Sequence, residues 1–325
     1  MLGTRKIKRK IRSVNNIKKI TQAMQMVSAA KLKKIQGKLL AIRPYASKLQ
    51  AIMDNLLTYL PPEAITHPLL KTRLPGSEHR ETSGASQKTI VAVIMASDKG
   101  LCGSYNNNLL RTAGNFIKEN MSSVIKIIAL GRKAGDYFKK QSALGGLEIL
   151  TAHTQLSTDV NFRSVKNIIA PVLRQYESQI LDEVWLIYSE FINPMVQKPR
   201  VTRFLPLLTP EEIISRQKMG QSEADNQSLT KSAAGQESLP YGYLFEPEPK
   251  IILDLVVPRY IEVVFYRIVL ESMASEQAAR MMAMRNATDN AEEVIEDLTL
   301  TFNKARQSGI TKELLDIVGG AEAMR

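Results

Sequence analysis

The fold of this chain is decided by residues 270–306, which read LESMASEQAARMMAMRNATDNAEEVIEDLTLTFNKAR. They lie in a longer run, residues 259–308, of fifty residues without glycine or proline. Small and apolar residues recur there in steps of three and four, at Leu270, Ala274, Ala278, Met281, Met284, Thr288, Ala291, Ile295, Leu298, Phe302 and Ala305. Ten steps cover 35 residues, and a period of about 3.5 is typical of a helix wound left-handedly on a partner. At about 1.5 Å per residue the run would extend roughly 75 Å, too far for one compact core to support.

The N-terminal segment supplies a candidate partner for this helix. Steps of three and four again connect its apolar residues, Ile7, Ile11, Val14, Ile17, Ile20, Met24 and Val27, and the pattern resumes at Leu32, Ile35, Leu39 and Ile42. We therefore expect an N-terminal helix antiparallel to the C-terminal one, with the rest of the chain inserted between them. Pro44 would end or kink this helix, whereas the apolar pattern of residues 49–57 favours continuation towards Tyr59. Two unrelated amphipathic helices on a common core are the alternative.

The middle of the chain predicts an α/β domain. Short apolar runs at residues 89–96, 124–130 and 183–191 are typical of buried parallel strands. A minor strand is expected at 148–151 and an edge strand at 199–208. Helical stretches separate the strands at residues 109–120, 131–141 and 162–180. This alternation predicts a Rossmann-like, mostly parallel sheet flanked by helices.

Composition shifts divide the chain into four parts. Residues 1–59 form the N-terminal helix, and residues 60–88, rich in Pro, Gly, Ser and Thr, form a linker. The α/β domain occupies residues 89–257 and includes a short helix at 209–217 and a polar insertion at about 218–238, where apolar periodicity is absent. Residues 258–325 form the C-terminal helix, because Pro258 stands where a long helix would begin.

Charge is concentrated at the N-terminus. The net charge is +12, and residues 1–53 contain 14 lysines and arginines before the first acid, Asp54. Such a segment favours an anionic partner, whether nucleic acid, lipid headgroups or an acidic protein. Few residues could stack on nucleic-acid bases, since the basic segment holds only one aromatic residue, Tyr45. The acidic residues at 289–297 indicate a solvated face or ion pairs to the basic helix.

Motifs for catalysis are weak. The loops SDKGLCGSYN (97–106) and GRKAGDYF (131–138) each join a strand to a helix, where amides can hold a phosphate. Neither has the spacing of a dinucleotide site or a P-loop. The three histidines, His67, His79 and His153, are isolated, and no residues have metal-ligand spacing, so we expect neither a metal nor a cofactor. Cys102, the sole cysteine, is interpreted as a packed residue in a reducing compartment.

Five quoted segments carry a family resemblance. They are ITQAMQMVSAAKLKKIQ (20–36), the two loops above, FEPEPKIILDLVVPRYI (245–261) and, most specifically, the run from Leu270 to Ala323. Together they resemble the gamma subunit of F-type ATP synthase, the central rotor shaft. The small and Met-rich residues at 273–287 suit such a shaft, because Met provides an adaptable contact surface.

The resemblance implies a non-catalytic coupling subunit. Its terminal helices would form a coiled shaft inside a hexamer of alpha and beta subunits, with the α/β domain and the epsilon subunit on the membrane rotor ring of c subunits. Proton or sodium flow would turn the ring and shaft, and so drive the catalytic sites of the beta subunits. Met24, Arg306 and Gln307 are implied contacts to beta subunits. The family also implies no nucleic-acid partner, no membrane span, and a peripheral location on the cytoplasmic face of a bacterial inner membrane.

Two other hypotheses remain open at this point. One is a basic coiled-coil adaptor for nucleic acid or an anionic membrane surface, and the other is a nucleotide-dependent α/β enzyme with helical arms. The chain departs from the family pattern in the length between Leu208 and Tyr241, near which photosynthetic members carry an insertion, some with a thiol switch. Because this insertion holds no cysteine, a switch of that kind is excluded, and we interpret it as a weakly regulatory or tolerated loop.

Overall fold

The computed structural model describes residues 2–59, 65, 67–70, 87–142, 147–154, 160–207 and 248–322. The helices are α1 (Leu2–Tyr59), α2 (Tyr105–Glu119), α3 (Arg132–Ser142), α4 (Phe162–Glu177) and α5 (Pro249–Glu322). The strands are β1 (Thr89–Met95), β2 (Val124–Leu130), β3 (Glu148–His153), β4 (Glu183–Phe191) and β5 (Gln197–Leu205). Most of the expected linker, the short helix expected at 209–217 and the insertion at 218–238 lie outside the described residues.

The described strands form one five-stranded sheet in the order β3-β2-β1-β4-β5. Its first four strands are parallel, and β5 pairs antiparallel with β4 at the edge. The prediction of a mostly parallel sheet with a final edge strand is therefore confirmed. The apolar runs became strands because both faces of the central strands are covered, and in β1 six of the seven residues are buried.

Helices α2 and α3 cover one face of the sheet. Their buried side chains, such as Leu109, Phe116 and Phe138, pack with Ile94 and Ile127 of the strands. Helix α4 begins with a capping box, in which the Asn161 side chain accepts a hydrogen bond from the Ser164 amide. It packs on α5 instead, where Phe162 and Tyr266 meet edge to face at 5.5 Å.

Helix α5 begins before the predicted range. It starts at Pro249 rather than Pro258, and it continues past Gly309 to Glu322, within the predicted range of 258–325. An interior proline costs about 3 kcal/mol because it removes one hydrogen bond and crowds the preceding turn. Core burial offsets that cost, since one side of this segment is almost fully buried, at Leu253, Val257, Ile261 and Phe265.

Helix α1 likewise continues through a proline. It runs without interruption past Pro44 to Tyr59, as the apolar pattern of residues 49–57 predicted. Leu49, Met53, Leu56 and Leu57 are all buried. The Tyr260 hydroxyl donates to Gln50 Oε1, and Arg259 Nε donates to the Tyr45 hydroxyl at 3.2 Å, so this part of α1 is attached to α5.

The chain divides into two compact units. The paired-helix unit comprises residues 1–33, 101–103 and 277–325, and the sheet unit comprises residues 34–100 and 104–276. Helices α1 and α5 each contribute to both. Three buried apolar residues from the start of the expected linker range, Ile65, Leu69 and Leu70, belong to the sheet unit.

Gly131, between β2 and α3, has a backbone conformation that residues with a side chain rarely adopt. Its φ is +94°, and an added Cβ would lie 2.1 Å from the Ala96 carbonyl oxygen. We predict that Gly131→Ala lowers the free energy of unfolding in urea by more than about 3 kcal/mol, through positive φ and backbone overlap. Gly114, within α2, has no heavy atom within 4 Å of the same position, so Gly114→Ala is the control and should stabilise by up to about 1 kcal/mol. Equal effects of the two substitutions would contradict this account.

Candidate functional site

The carboxyl ends of β1 and β4 mark the place where ligands bind in most open α/β sheets, because the strand order reverses between them. In this protein α5 lies over that place. Ser272 Oγ donates to the Met95 carbonyl at 3.3 Å, and Ser275 Oγ donates to the Ser189 carbonyl at 2.8 Å. The cavity left beside Ser272 and Gly131 holds only about 30 Å³, far below the roughly 300–1,000 Å³ of ligand pockets. The crevice is thus filled by the protein's own helix.

The two glycine loops are also occupied. At the start of α3, where free amides would be needed for a phosphate, the Arg132 amide donates to Asp98 Oδ1 at 2.9 Å and the Lys133 amide donates to the Ser97 carbonyl at 3.0 Å. The Ser97 amide in turn donates to Asn106 Oδ1 at 3.1 Å. A carboxylate of the first loop therefore caps the helix of the second, and both loops act as connections. Within the described ranges, no three His, Cys, Asp or Glu side chains are placed to hold a metal ion.

One carboxylate at this edge has an altered acidity. Burial raises the pKa of the Glu271 carboxyl, while the nearby Arg267 guanidinium and the Phe191 backbone N–H oppose the rise. The raised pKa comes from the contact of α5 with the ends of the strands. Glu271 is not among the residues that line the small cavity beside Ser272 and Gly131.

The paired-helix unit presents the second candidate site. Lys18 Nζ lies 2.7 Å from Glu292 Oε1, and Thr21 Oγ1 lies 2.7 Å from Thr288 Oγ1. Because a higher residue number on α1 meets a lower one on α5, the helices are antiparallel, as predicted. The 3.5-residue pattern of α5 is confirmed as the contact face, with Ala278, Thr288 and Ala291 among its buried members.

The predicted contact face of α1 is only partly right in this unit, because Ile7, Ile11, Val14 and Met24 are half-buried but three other members are exposed. Ile17, Ile20 and Val27 are 50%, 59% and 55% exposed, whereas Thr21 and Ser28 are buried. The two polar residues can be buried because each hydroxyl is hydrogen-bonded, Thr21 to Thr288 and Ser28 to the Met24 carbonyl at 2.9 Å. Their heptad spacing, continued by the buried Ile35, is the signal that a purely apolar search missed.

A short loop completes this unit. Cys102 is 2% exposed, which confirms it as a packed residue. Gly103 adopts a φ of +59°, and its Cβ position lies 3.8 Å from the Ala283 side chain. Small residues on both sides let the loop approach α5 closely.

The outer surface of the helix pair is unusual for an isolated rod. The six cations from Arg5 to Arg12 are exposed, as are the acids of residues 289–297, of which Glu292 contacts Lys18 and Asp289 contacts Arg285. Beyond them, four large apolar side chains of α5 are more than half exposed, Ile310, Leu314, Leu315 and Ile317. A surface of this kind indicates a protein partner around the helices. No helix in the described part of the chain has the length and apolar character needed to cross a membrane.

Comparisons with known proteins agree with this arrangement. The protein family described as ATP synthase matches residues 3–324. The ATP synthase gamma chain of Heliobacterium modesticaldum is 39% identical, with all of both chains covered. That of Chloroflexus aurantiacus is 38% identical over all of this chain and 99% of its own.

This chain belongs to the ATP synthase gamma subunit family. It is a non-catalytic subunit of that complex and a rotor component of its central stalk. A chain from the central stalk and c-ring of the Tetrahymena thermophila mitochondrial ATP synthase is similar in structure, with a TM-score of 0.54, 25% identity, and coverage of 82% of this chain and 99% of that one. A Euglena gracilis mitochondrial ATP synthase chain shares the fold, with a TM-score of 0.59 at 19% identity, and coverage of 99% of this chain and 94% of that one.

The three implied contact residues of the gamma subunit all lie in the paired-helix unit. Met24 is half-buried on α1, while Arg306 and Gln307 are exposed on α5. Met24 supplies its carbonyl to Ser28. Arg306 and Gln307 follow the last half-buried seam residue, Ala305, and face outward.

The threonine pair provides a test of the helix contact. Thr288→Val removes a hydroxyl that contacts both Thr21 Oγ1 at 2.7 Å and the Met284 carbonyl at 2.8 Å. We predict a loss of about 1–2 kcal/mol in the free energy of unfolding. In the Thr288→Val background, Thr21→Val should lower the free energy of unfolding by less than it does alone. The coupling energy from this double-mutant cycle should be about 0.5–1 kcal/mol.

Thr299→Val is the matched control for this cycle. Its hydroxyl makes the same local bond, to the Ile295 carbonyl at 2.7 Å, but on an exposed face. A change within about 0.5 kcal/mol is expected there. Additive effects of the Thr21 and Thr288 substitutions would show that the buried contact does not join the helices.

Proposed function

We propose that this gamma subunit couples ion flow through the membrane sector to ATP synthesis and hydrolysis by rotation inside a hexamer of alpha and beta subunits. The observation that carries the proposal is the antiparallel helix pair, whose contact face includes small and polar residues while large apolar side chains such as Ile17, Ile20 and Val27 remain exposed. Helices joined through Thr21, Ser28, Ala278 and Ala291 approach closely. Their exposed surface is then available to surrounding subunits.

The C-terminal end of α5 would fit inside a ring of protein subunits. Exposure of large apolar side chains to water is unfavourable, and a surrounding ring of subunits would cover those at the end of α5, Ile310, Leu314, Leu315 and Ile317. A rotating shaft needs contacts that are adaptable at every angle rather than tight at one. Apolar contacts are non-directional, so they suit this requirement.

Charged contacts would transmit force to the catalytic subunits. We propose that Arg306, Gln307 and Met24 contact beta subunits, and that the exposed cations of α1 face acidic segments of those subunits. Arg306 offers a planar guanidinium with several donors, which binds carboxylates in a fixed geometry. The epsilon subunit and the c-subunit ring are the partners proposed for the sheet unit, in keeping with the central stalk and c-ring of the Tetrahymena relative.

The proposed location follows from these partners. A subunit joined to a membrane rotor ring lies at a membrane surface, and we propose the cytoplasmic face of a bacterial inner membrane. The bacterial gamma chains at 38–39% identity support this assignment.

Reconstitution with matching alpha and beta subunits tests the function. The purified chain should enter a complex with one copy per three alpha and three beta subunits, weighed by native mass spectrometry, and ATP hydrolysis should be sustained. Changing both Arg306→Ala and Gln307→Ala should lower the hydrolysis rate about tenfold without preventing assembly, as a loss of about 1.4 kcal/mol at the transition state would give.

Thr301→Ala is the control, because this exposed residue lies on a different face of the same helix. It should leave hydrolysis unchanged. Failure of the folded chain to enter the hexamer would overturn the shaft assignment, whereas assembly with unchanged hydrolysis in the double variant would overturn only the contact assignment.

A further inference from the structure

A cavity between α2, α3 and the start of β2 takes part in neither the helix contacts nor the filled crevice. Its volume is about 620 Å³, which lies within the roughly 300–1,000 Å³ of small-molecule sites. Helices α2 and α3 contribute residues of their C-terminal halves, and β2 and β3 contribute residues at their beginnings. The cavity therefore lies at the amino-terminal edge of the sheet, opposite the edge that α5 covers. We call it the α2–α3 cavity.

The floor of the α2–α3 cavity is apolar. Ile117 and Ile125 line it and are buried in the core between the helices and the sheet, while Tyr137 and Leu147 pack against that core. Met121 also lines the cavity and is 73% exposed, so it adds a flexible apolar side chain at the solvent side. A lining of this kind favours a ligand with an apolar body, because contact removes apolar surface from water on both partners.

Gly114 leaves open space along the middle of α2. It lines the cavity, and no heavy atom lies within 4 Å of its Cβ position. A glycine inside a helix is less favourable than an alanine, and no neighbour in the described structure requires a residue without a side chain here. Close approach of a ligand to the helix backbone is a reason for glycine at such a position.

The charged residues that line the cavity are all cations. Arg111 and Lys118 are exposed on α2 and stand two helical turns apart, about 10 Å along its axis. Neither has an acidic partner within ion-pair distance among the residues that the structure describes. The acids closest in sequence to the lining residues do not line the cavity; they are Glu119, Asp136 and Glu148, and the last is paired with a lysine of β2. An anionic group is therefore complementary to this cavity.

A neutral donor completes the lining. The Gln141 side-chain amide donates to the Tyr137 hydroxyl at 3.1 Å. A phenol hydroxyl can donate as well as accept, so the Tyr137 proton is available to an acceptor inside the cavity. A carboxylate, which only accepts hydrogen bonds, matches this donor and the two cations.

We propose that the α2–α3 cavity binds a medium-length alkyl carboxylate, with its chain on the apolar floor beside Gly114 and its carboxylate held by Arg111 or Lys118. A guanidinium binds a carboxylate through two parallel hydrogen bonds. A phosphate ester fits less well, because the C-terminal ends of two helices carry partial negative charge, which disfavours a second charge on the ligand. The site belongs to the sheet unit alone and does not depend on the rotary function proposed above.

Isothermal titration calorimetry of the full chain with octanoate tests the site. We expect saturable binding of one octanoate per chain, with a dissociation constant of about 1 mM or lower. Octanol has the chain without the charge, and acetate has the charge without the chain. Each should bind at least about tenfold more weakly than octanoate, because each lacks one of the two contacts.

A cavity-filling variant locates the binding. Gly114→Leu should weaken octanoate binding at least about tenfold, because the leucine side chain occupies the space of the ligand. Gly309→Leu is the matched control. Gly309 is also a helical glycine with no heavy atom within 4 Å of its Cβ position, but it does not line the cavity. Octanoate binding should be unchanged in this control.

A charge variant tests the carboxylate contact. Arg111→Gln combined with Lys118→Gln should weaken octanoate binding about tenfold and leave the affinity for octanol unchanged. Arg132→Gln combined with Lys139→Gln is the control, because it removes two exposed cations with the same spacing from α3, and neither lines the cavity. Since all four side chains are exposed, both double variants should fold, as circular dichroism would show.

Any of three results would overturn the proposal. Absence of saturable octanoate binding would show that the cavity is not a site for this class of ligand. Equal affinities for octanoate and octanol would show that the cations do not hold the carboxylate. Unchanged octanoate binding in the folded double variant of Arg111 and Lys118 would show that octanoate binds elsewhere on the chain, whether or not Gly114→Leu folds.

Discussion

The structure depends on burying one face of α5 along two different neighbours. In the sheet unit that face carries large residues such as Leu253, Val257 and Phe265, which are buried in the core. In the paired-helix unit it carries Ala278, Met284, Thr288 and Ala291. Large side chains maximise apolar burial, whereas small ones allow two helices to approach closely. The small members of this face, Ala278 and Ala291, thus suit contact with another helix.

The same helix explains why an α/β sheet with two glycine loops carries no ligand site at its usual position. Ser272 and Ser275 hydrogen-bond to strand carbonyls at the carboxyl edge, and Asp98 caps α3 where a phosphate would bind. The sheet serves as a foundation for α5 and for the β4–β5 hairpin. A fold does not by itself imply a function, and here the usual ligand-binding edge of the sheet instead holds α5 in place.

Much of the fold could be predicted from the sequence. Three of the four parallel strands, β1, β2 and β4, are short apolar runs, and the long helices show a clear period, so both were recognised. Helix ends were less predictable, because Pro258 and Pro44 are tolerated wherever core burial exceeds the local cost. The candidate contact residues Met24, Arg306 and Gln307 came from family resemblance alone, since an exposed residue has no sequence pattern that identifies its partner.

By itself the sequence determined the element types, the antiparallel helix pair and the family, because periodicity and specific motifs are local properties of the chain. Only the tertiary structure decided which face of α1 is buried. Thr21 and Ser28 replace Ile17, Ile20 and Val27 at the contact because their hydroxyls find partners and their small size permits close packing. The tertiary structure also decided that the crevice of the sheet is filled. Apart from the local bond of Ser28 to the Met24 carbonyl, both outcomes depend on hydrogen bonds between residues far apart in the chain, and no local pattern records such bonds.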